Sequence, residues 1–532
     1  MFLLSDSSSI IAKTERGCKN LSNLDATLKN LFGFDTFREG QREIIEAVMN
    51  QQDVLAILPT GRGKTLCYHL PSLILGGLTL VISPLVSLME DQVTQMKASG
   101  NKRVAHLSSL LNQQEKQDLM MGLGNLDLLF LSPEMASLPF VKRALVRQKI
   151  TLFVIDEAHC ISHWGHEFRT DYLRLNSLRS SLGNPSCLAL TATATPLVEK
   201  DIRGQLKMEN EVVIRYPVNR ENIYIGIEEV ASVQEKHALL IARINQVETP
   251  AIIYTGTRQE TERIAGLLKR ETNFESSFYH GGLTKEDRLL IQHQFIHDEL
   301  DIICCTNAFG MGINKSNVRT VIHLHLPSSI EQYVQEIGRA GRDQSQSTAL
   351  LIYQPEDHLL PLSFIENEFP DDDLLNHLSD ESDFSHYSLE ELRNFYQLDD
   401  NSYRMLHYYL DQENLIEEGN LQLNEQQQHV IKKLRVKFQT RKKEKILQLE
   451  RIKSFVLSRT CLRRYVSHYF EEEILVLPEF CCSQCQLTET YLKEIDSINY
   501  NVRSERSIHK ESDWSKELEN MLITNAGGLY GK

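Results

Sequence analysis

Two α/β domains in tandem, each built on a parallel sheet and followed by a mostly helical C-terminal region, make up the fold that the sequence predicts. Three observations carry this reading. Short apolar runs recur between helical patterns in two successive series. The runs stop near residue 356, where acidic residues crowd together. A strongly basic segment, Lys432 to Arg464, then opens onto a group of cysteines. Near-continuous apolar runs mark strands buried on both faces, as parallel strands are.

The first series is Val54 to Leu58, Thr79 to Ser83, Leu128 to Ser132, Leu152 to Ile155 and Cys187 to Leu190. The second is Ala251 to Tyr254, Ser276 to Tyr279, Asp301 to Cys305, Thr320 to His323 and Ala349 to Tyr353. A chain of 532 residues exceeds one ordinary core, so several domains are expected. The boundary between the sheets falls near Arg215 to Asn222, giving domains over 1–215 and 216–356. Glu366, Glu368, Asp371, Asp372, Asp373, Asp380, Glu381 and Asp383 then mark a helical unit over 357–430. A basic arm with the cysteine group covers 431–490, and a polar tail 491–532. Within the helical unit, Ser388-Leu389-Glu390-Glu391-Leu392 has the capping-box pattern of a helix start. Asp399 to Glu413 reads as a second helix and Leu415 to Leu423 as a hairpin. Helix, helix and two-stranded wing follow the winged-helix order, with a plain helical linker as the alternative.

The formal net charge of -15 argues against a broadly basic surface, so any grip on nucleic acid is local. Lys432 to Arg464 offers such a patch, with 13 Lys or Arg against two acidic residues. No window reaches the length of apolar chain a membrane helix needs, and MFLLSDSSSII lacks the basic start of a secretory signal. No membrane association and a cytoplasmic setting are expected. Of ten cysteines, Cys461, Cys481, Cys482 and Cys485 lie close together, a grouping that suits a metal better than disulfides in a reducing compartment.

After the first strand comes Pro59-Thr60-Gly61-Arg62-Gly63-Lys64-Thr65, then a helical pattern through Leu66, Leu70 and Leu73. This is a phosphate-binding loop. Gly61 and Gly63 let backbone amides converge on phosphate oxygens with Thr60, Lys64 reaches the β and γ phosphates, and Thr65 ligands magnesium. A strict pattern has glycine where Leu58 stands. About 90 residues on, the strand Leu152 to Ile155 delivers Asp156-Glu157-Ala158-His159 at its C-terminal end, where ligands bind in open α/β sheets. Asp156 is the magnesium ligand of this reading, and Glu157 orients and deprotonates the attacking water. In the second domain, Gln335-Glu336-Ile337-Gly338-Arg339-Ala340-Gly341-Arg342 puts two arginines three apart on one helix face. Reaching across a cleft, Arg339 and Arg342 would act as arginine fingers, worth about 10³ to 10⁵ in rate.

These motifs resemble those of the RecQ family of superfamily 2 DNA helicases, in detail over residues 25 to 355 and more loosely to Cys485. The resemblance implies two RecA-like domains, ATP and magnesium as cofactors, and 3′ to 5′ movement on single-stranded DNA with unwinding of duplex DNA in repair or recombination. It implies that Phe34 stacks on adenine, Gln41 bonds its edge and Arg38 assists, within Phe32-Gly33-Phe34-Asp35-Thr36-Phe37-Arg38-Glu39-Gly40-Gln41. Without it, Gln41 passes as a helix-surface residue. His159 and Gln335 join the catalytic set on the same ground.

Ser83-Pro84-Leu85, Ser132-Pro133-Glu134, Thr191-Ala192-Thr193-Ala194-Thr195, Tyr279-His280-Gly281-Gly282-Leu283 and Ala308-Phe309-Gly310-Met311-Gly312-Ile313 follow the family in order. In the family they line the DNA channel or couple it to the nucleotide, with Ser83 and Ser132 among the DNA contacts. Cys160 to Tyr172 resembles the family's aromatic-rich loop. Trp164 and Phe168 offer faces for unpaired bases, worth about 1 to 3 kcal/mol each, and His166 and Arg169 sit between DNA and the ATP site. Four residues depart from the family pattern: Arg62 for a small residue, Glu39 and Thr170 for prolines, and Gln344 for a glycine.

Thr460-Cys461-Leu462-Arg463-Arg464 resembles the opening of the family's zinc module, and Cys461, Cys481, Cys482 and Cys485 supply four sulfurs, with His468 as another candidate ligand. Zinc is thus a third expected cofactor. Adjacent cysteines on one ion are geometrically demanding. The basic arm before them is expected to lie along duplex phosphates. Only 47 residues follow Cys485, so a short form without the family's C-terminal winged-helix and HRDC domains is expected. The acidic inserted unit docks a protein or the motor itself. A monomer with protein partners in DNA repair completes the expectation. Two alternatives stay open: an ATP-gated DNA-binding protein in which Arg62 blocks hydrolysis, and an RNA helicase on the same chassis.

Overall fold

The computed structural model describes residues 24–494 except 109–110, 163–164, 166–168, 209, 310–314, 381–387, 418–419 and 422–427. The first sheet has seven parallel strands: β1 (Val54–Ile57), β2 (Leu78–Ile82), β3 (Val104–Leu107), β4 (Leu128–Leu131), β5 (Ile150–Ile155), β6 (Cys187–Thr191) and β7 (Val212–Arg215). Their order is β3-β4-β2-β5-β6-β1-β7. The apolar runs are continuous because both faces are covered. In β5, Phe153 and Ile155 join the core on one side of the sheet, and Leu152 and Val154 join the core on the other.

The second sheet has six parallel strands: β8 (Ile223–Glu229), β9 (Ala251–Tyr254), β10 (Ser276–Tyr279), β11 (Ile302–Cys305), β12 (Thr320–His323) and β13 (Ser347–Tyr353). They run in the order β10-β11-β9-β12-β13-β8. Strands β3, β7 and β8, which the apolar runs do not reveal, all lie at sheet edges, where partly exposed positions interrupt the run.

Beyond the sheets the described chain is mostly helical. A capping box at Ser388 starts the helix Leu389–Phe395, Asp399 caps Asp400–Gln412, and β14 (Ile416–Glu417) pairs antiparallel with β15 (Asn420–Leu421). Ser388 also bridges to Asn420, so the residue ahead of the first helix joins the small sheet. The helix Gln428–Val456 then runs 29 residues. Its basic residues are partly spent on the acidic segment before it. Arg435 pairs with Asp372 at 3.1 Å, Lys445 pairs with Glu368, and Arg441 is buried 3.9 Å from Glu368. Leu374, Tyr409, Phe438, Phe455 and Phe470 share one core with Ile225 and Tyr254 of the second sheet. The C-terminal region is thus packed onto the second sheet. The inserted unit also reaches the first domain, where Arg174 meets Asp411 at 2.7 Å and lies over the Tyr408 ring. Among the described residues no helix is long and apolar enough to cross a membrane.

Candidate active site

All strands of each sheet are parallel, so the loops after β1, β2, β5 and β6 emerge at one edge, facing the second sheet. Leu58 lies just past β1 but is still bonded to the sheet. Its amide donates to Thr191 O at 2.9 Å and its side chain is buried, so the loop proper starts at Pro59, which accounts for a leucine at the strict pattern's first position. Gly61 and Gly63 take left-handed backbone (φ 85° and 77°), and Lys64 and Thr65 lead into the helix Leu66–Leu75. Lys64 Nζ is buried without a hydrogen-bond acceptor, 3.6 Å from Glu157 Oε1. A desolvated ammonium so placed fits a polyphosphate.

Gln41 is buried rather than on a helix surface. Its Oε1 accepts from the Arg38 amide at 2.9 Å, and its Nε2 donates to Arg62 O at 2.9 Å and Gly63 O at 3.0 Å. Arg38 donates to Gly61 O at 2.6 Å, and Phe34 is 55% exposed nearby in sequence. The segment resembling the adenine motif is therefore bonded to the phosphate-loop backbone. Arg62 donates to Glu39 at 2.6 Å, so two of the departures from the family pattern pair with each other.

Asp156 and Glu157 follow β5. Burial pushes the Asp156 carboxyl up to about 6, the Glu157 charge adds to this and Lys64 opposes it. A buried acidic pair of this kind fits a divalent cation, whose charge would hold both groups ionised. Glu157 has left-handed backbone at φ 48°. His159 Nδ1 lies 3.4 Å from Glu157 Oε2 and 3.0 Å from Thr191 Oγ1. Thr191 Oγ1 donates to Thr193 O at 3.1 Å, and Gln335 Nε2 donates to Thr193 Oγ1 at 3.1 Å. A polar relay thus runs from Glu157 across the cleft into the second domain.

The arginine placement needs a correction. The helix stops at Ile337, and Arg339 and Arg342 stand on the turn beyond it instead of on a helix face. Gly341 at φ 55° turns the chain. At Gly338 a side chain would collide with Thr60, whose hydroxyl donates to Gly338 O at 2.8 Å. The turn so formed packs on the phosphate loop, with the Arg342 side chain against Gly61. Burial, together with Arg339 and Arg220, pushes the Arg342 guanidinium down to about 9. Sequence reasoning missed Arg220. From the segment joining the sheets it donates to Thr60 O at 3.1 Å, Gly338 O at 3.3 Å, Ala340 O at 3.2 Å and Gly341 O at 2.5 Å. No motif spacing marks it, because its partners are carbonyls from two distant segments. The domains also meet at Asp91, which accepts from Gln292 at 2.5 Å, and at Glu90, 3.1 Å from Lys285.

Of the nucleic-acid set, Trp164, His166 and Phe168 lie outside the described residues, as do 310–313 of the segment 308–313. Arg169 donates to Pro84 O at 3.0 Å, tying the loop's end to the Ser83-Pro84-Leu85 segment. Tyr172 is fully buried and donates to Asp156 O at 3.1 Å, a support for the acidic motif. Ser83 and Ser132 are not surface groups. Both are buried, and Ser132 Oγ accepts from the Met135 amide as the cap of a short helix.

The four cysteine sulfurs lie within 4.8 Å of one another. Cys461 is 3.6 Å from Cys481 and 3.9 Å from Cys482, which is 3.6 Å from Cys485. Metal–sulfur bonds of about 2.3 Å in a tetrahedron put sulfurs about 3.8 Å apart, so the adjacent Cys481 and Cys482 fit one ion together. The group sits on the edge of the second sheet. Ser483 N donates to Ile225 O at 2.9 Å, and the buried Arg463 donates to Asn219 Oδ1 at 2.6 Å and Arg220 O at 2.8 Å.

A model of the DEAD/DEAH box helicases matches residues 38–201, and a model of the helicase conserved C-terminal domain matches 235–344. The probable ATP-dependent DNA helicase RecS of Bacillus subtilis is 40% identical over 519 residues, 96% of this chain and 99% of that protein. The ATP-dependent DNA helicase RecQ of Haemophilus influenzae is 42% identical over 334 residues, 63% of this chain and 54% of that protein. Among solved structures, the Mycobacterium smegmatis helicase Lhr bound to ssDNA and AMP-PNP aligns at a TM-score of 0.52 and 18% identity, over 66% of this chain and 52% of that one, a likeness of fold. With the phosphate loop, the acidic pair and the paired arginines facing one cleft, and with these relatives, the chain belongs to the RecQ family of ATP-dependent DNA helicases.

Proposed function

We propose that this chain hydrolyses ATP in the cleft between its sheets and uses the closure of that cleft to move 3′ to 5′ along single-stranded DNA, separating duplex DNA ahead of it. One observation carries the reading: Lys64, Glu157, Gln335 and the Arg339–Arg342 turn, drawn from both domains, line one cleft bonded across by Thr60 and Gln335. A site completed by two domains couples its chemistry to their motion.

In this reading Lys64 holds the β and γ phosphates, with Thr60, Gly61 and Gly63 cradling them by their amides. Thr65 and Asp156 hold magnesium, which supplies charge neutralisation when bound. Glu157 takes the proton of the attacking water, and His159 orients Glu157 and reports to Thr191. Arg339 and Arg342 stabilise charge on the transferring phosphoryl. Phe34 and Gln41 read the base, with Gln41 exchanging its bonds to the loop carbonyls for bonds to adenine, and Arg38 bracing the motif. Trp164, His166, Phe168 and Arg169 engage unpaired bases. Cys461, Cys481, Cys482 and Cys485 hold a structural zinc, and protein partners in DNA repair and a cytoplasmic setting complete the proposal.

The ATP-gated alternative requires Arg62 to obstruct hydrolysis, and the Arg62–Glu39 pair disfavours it. The test is ATP turnover with and without single-stranded DNA and RNA. DNA-stimulated turnover is expected, unchanged within about fivefold in Arg62→Ala, because an exposed ion pair is worth at most about 1 kcal/mol. Negligible turnover that Arg62→Ala switches on supports the gated reading, and stimulation by RNA alone supports the RNA one.

A further inference from the structure

We propose that Arg220 is a positioning residue for ATP hydrolysis: its guanidinium sets the register between the phosphate loop and the turn bearing Arg339 and Arg342, and only when the cleft is closed. The inference rests on the ATPase reading above. Arg220 lies in the segment joining β7 to β8, so it belongs to neither sheet and is adjacent to both. One nitrogen, Nη1, donates at once to Thr60 O of the first domain and to Gly338 O of the second, at 3.1 and 3.3 Å. The other, Nη2, donates to Ala340 O and Gly341 O at 3.2 and 2.5 Å. Four carbonyls from two domains therefore converge on one planar fork, a geometry that arginine supplies and lysine does not.

The segment is itself held from behind. Arg463 donates to Asn219 Oδ1 and Arg220 O, the Val218 amide donates to Glu472, and Asn222 donates to Gly341 O at 2.9 Å and Ser345 O at 2.8 Å. With its main chain fixed, the Arg220 side chain is a rigid spacer. Its hydrogen-bond acceptors are neutral carbonyls, and Asp343 is the acidic group whose charge favours it. Burial and repulsion from Arg62 lower its pKa to about 10, which still leaves it protonated at neutral pH. Arg342 lies close enough to Arg339 and Arg220 that their charges add to the effect of burial on its guanidinium.

The contact with Thr60 O spans the two domains, whereas Gln41, Lys64 and Thr65 all belong to the first domain. Removing Arg220 is therefore expected to act on turnover and to spare nucleotide affinity. The test measures DNA-stimulated ATP turnover, binding of a fluorescent ATP analogue without DNA, and thermal melting for the full chain, Arg220→Ala and Arg220→Lys. The expected result is a kcat lower by about tenfold to a hundredfold in Arg220→Ala, from the loss of charge-assisted bonds. Analogue affinity should stay within about threefold in the same variant. Arg220→Lys should recover the melting temperature and leave kcat low, since one ammonium cannot span both sides. A kcat within twofold of the parent in Arg220→Ala, or full recovery of kcat in Arg220→Lys, would overturn the proposal. A parent chain without DNA-stimulated turnover overturns the ATPase reading itself, a result distinct from a parent that turns over and a variant that matches it.

Discussion

Glu157 holds left-handed backbone at φ 48°, a conformation that costs a glutamate about 1 kcal/mol or more and persists where the surroundings impose it. Here the acidic motif is held by Tyr172 on Asp156 O and by Thr191 on His159. Glu157→Gln keeps the shape and removes the base. Turnover is expected to fall by about 10² or more with nucleotide binding retained, measured by phosphate release and equilibrium titration. Gln344 is a second left-handed residue, at φ 69°, and it stands where the family pattern has glycine. Gln344→Gly is expected to leave stability unchanged or raise it by up to about 1 kcal/mol, and Gln344→Val to lower it by about 1 kcal/mol or more; denaturant melts rank the three chains. At this scale the sequence was most legible where chemistry demands a residue type at a fixed spacing, as for Lys64, Asp156 and Glu157. It was least legible for Arg220 and Tyr172, whose partners are main-chain carbonyls, and for Ser83 and Ser132, whose burial no motif reveals.

The central strands of both sheets were readable because their two faces are equally buried. The edge strands β3, β7 and β8 were hidden because exposure breaks the apolar run, and the outer edge of β8 is met by the cysteine group at Ile225 and Cys482. The long helix Gln428–Val456 illustrates a different limit. Its charge run was plain, but how that charge is used depends on folding. Arg435, Arg441 and Lys445 face Asp372 and Glu368, while Lys432, Lys433 and Lys443 are exposed. Phosphate contacts are therefore expected from exposed residues such as the second group. Lys432→Glu or Lys443→Glu is expected to weaken DNA binding and reduce its salt dependence by about one unit of slope, read from binding isotherms across salt concentration. Lys445→Ala should leave that slope unchanged and lower the melting temperature. An unaltered slope in both exposed variants would remove the helix from the DNA path.

Across the whole molecule, two sheets, a joining segment and a cysteine-bearing edge meet at one place. The phosphate loop packs on the Arg339–Arg342 turn, the relay from Glu157 through His159, Thr191 and Thr193 ends on Gln335, and Arg463 ties the cysteine segment to the joining chain. The C-terminal region shares its core with the second sheet and touches the first through Arg174, Asp411 and Tyr408, so closure of the cleft moves against both. This arrangement suits the proposed motor, in which opening and closing of the cleft drives movement along DNA. The most direct test of that account is strand separation of DNA duplexes bearing a single 3′ or 5′ tail. Unwinding of the 3′-tailed duplex that requires hydrolysable ATP is the predicted result, with little or none of the 5′-tailed one. Failure to unwind either duplex while ATP is hydrolysed, or unwinding that proceeds equally without ATP, would contradict it.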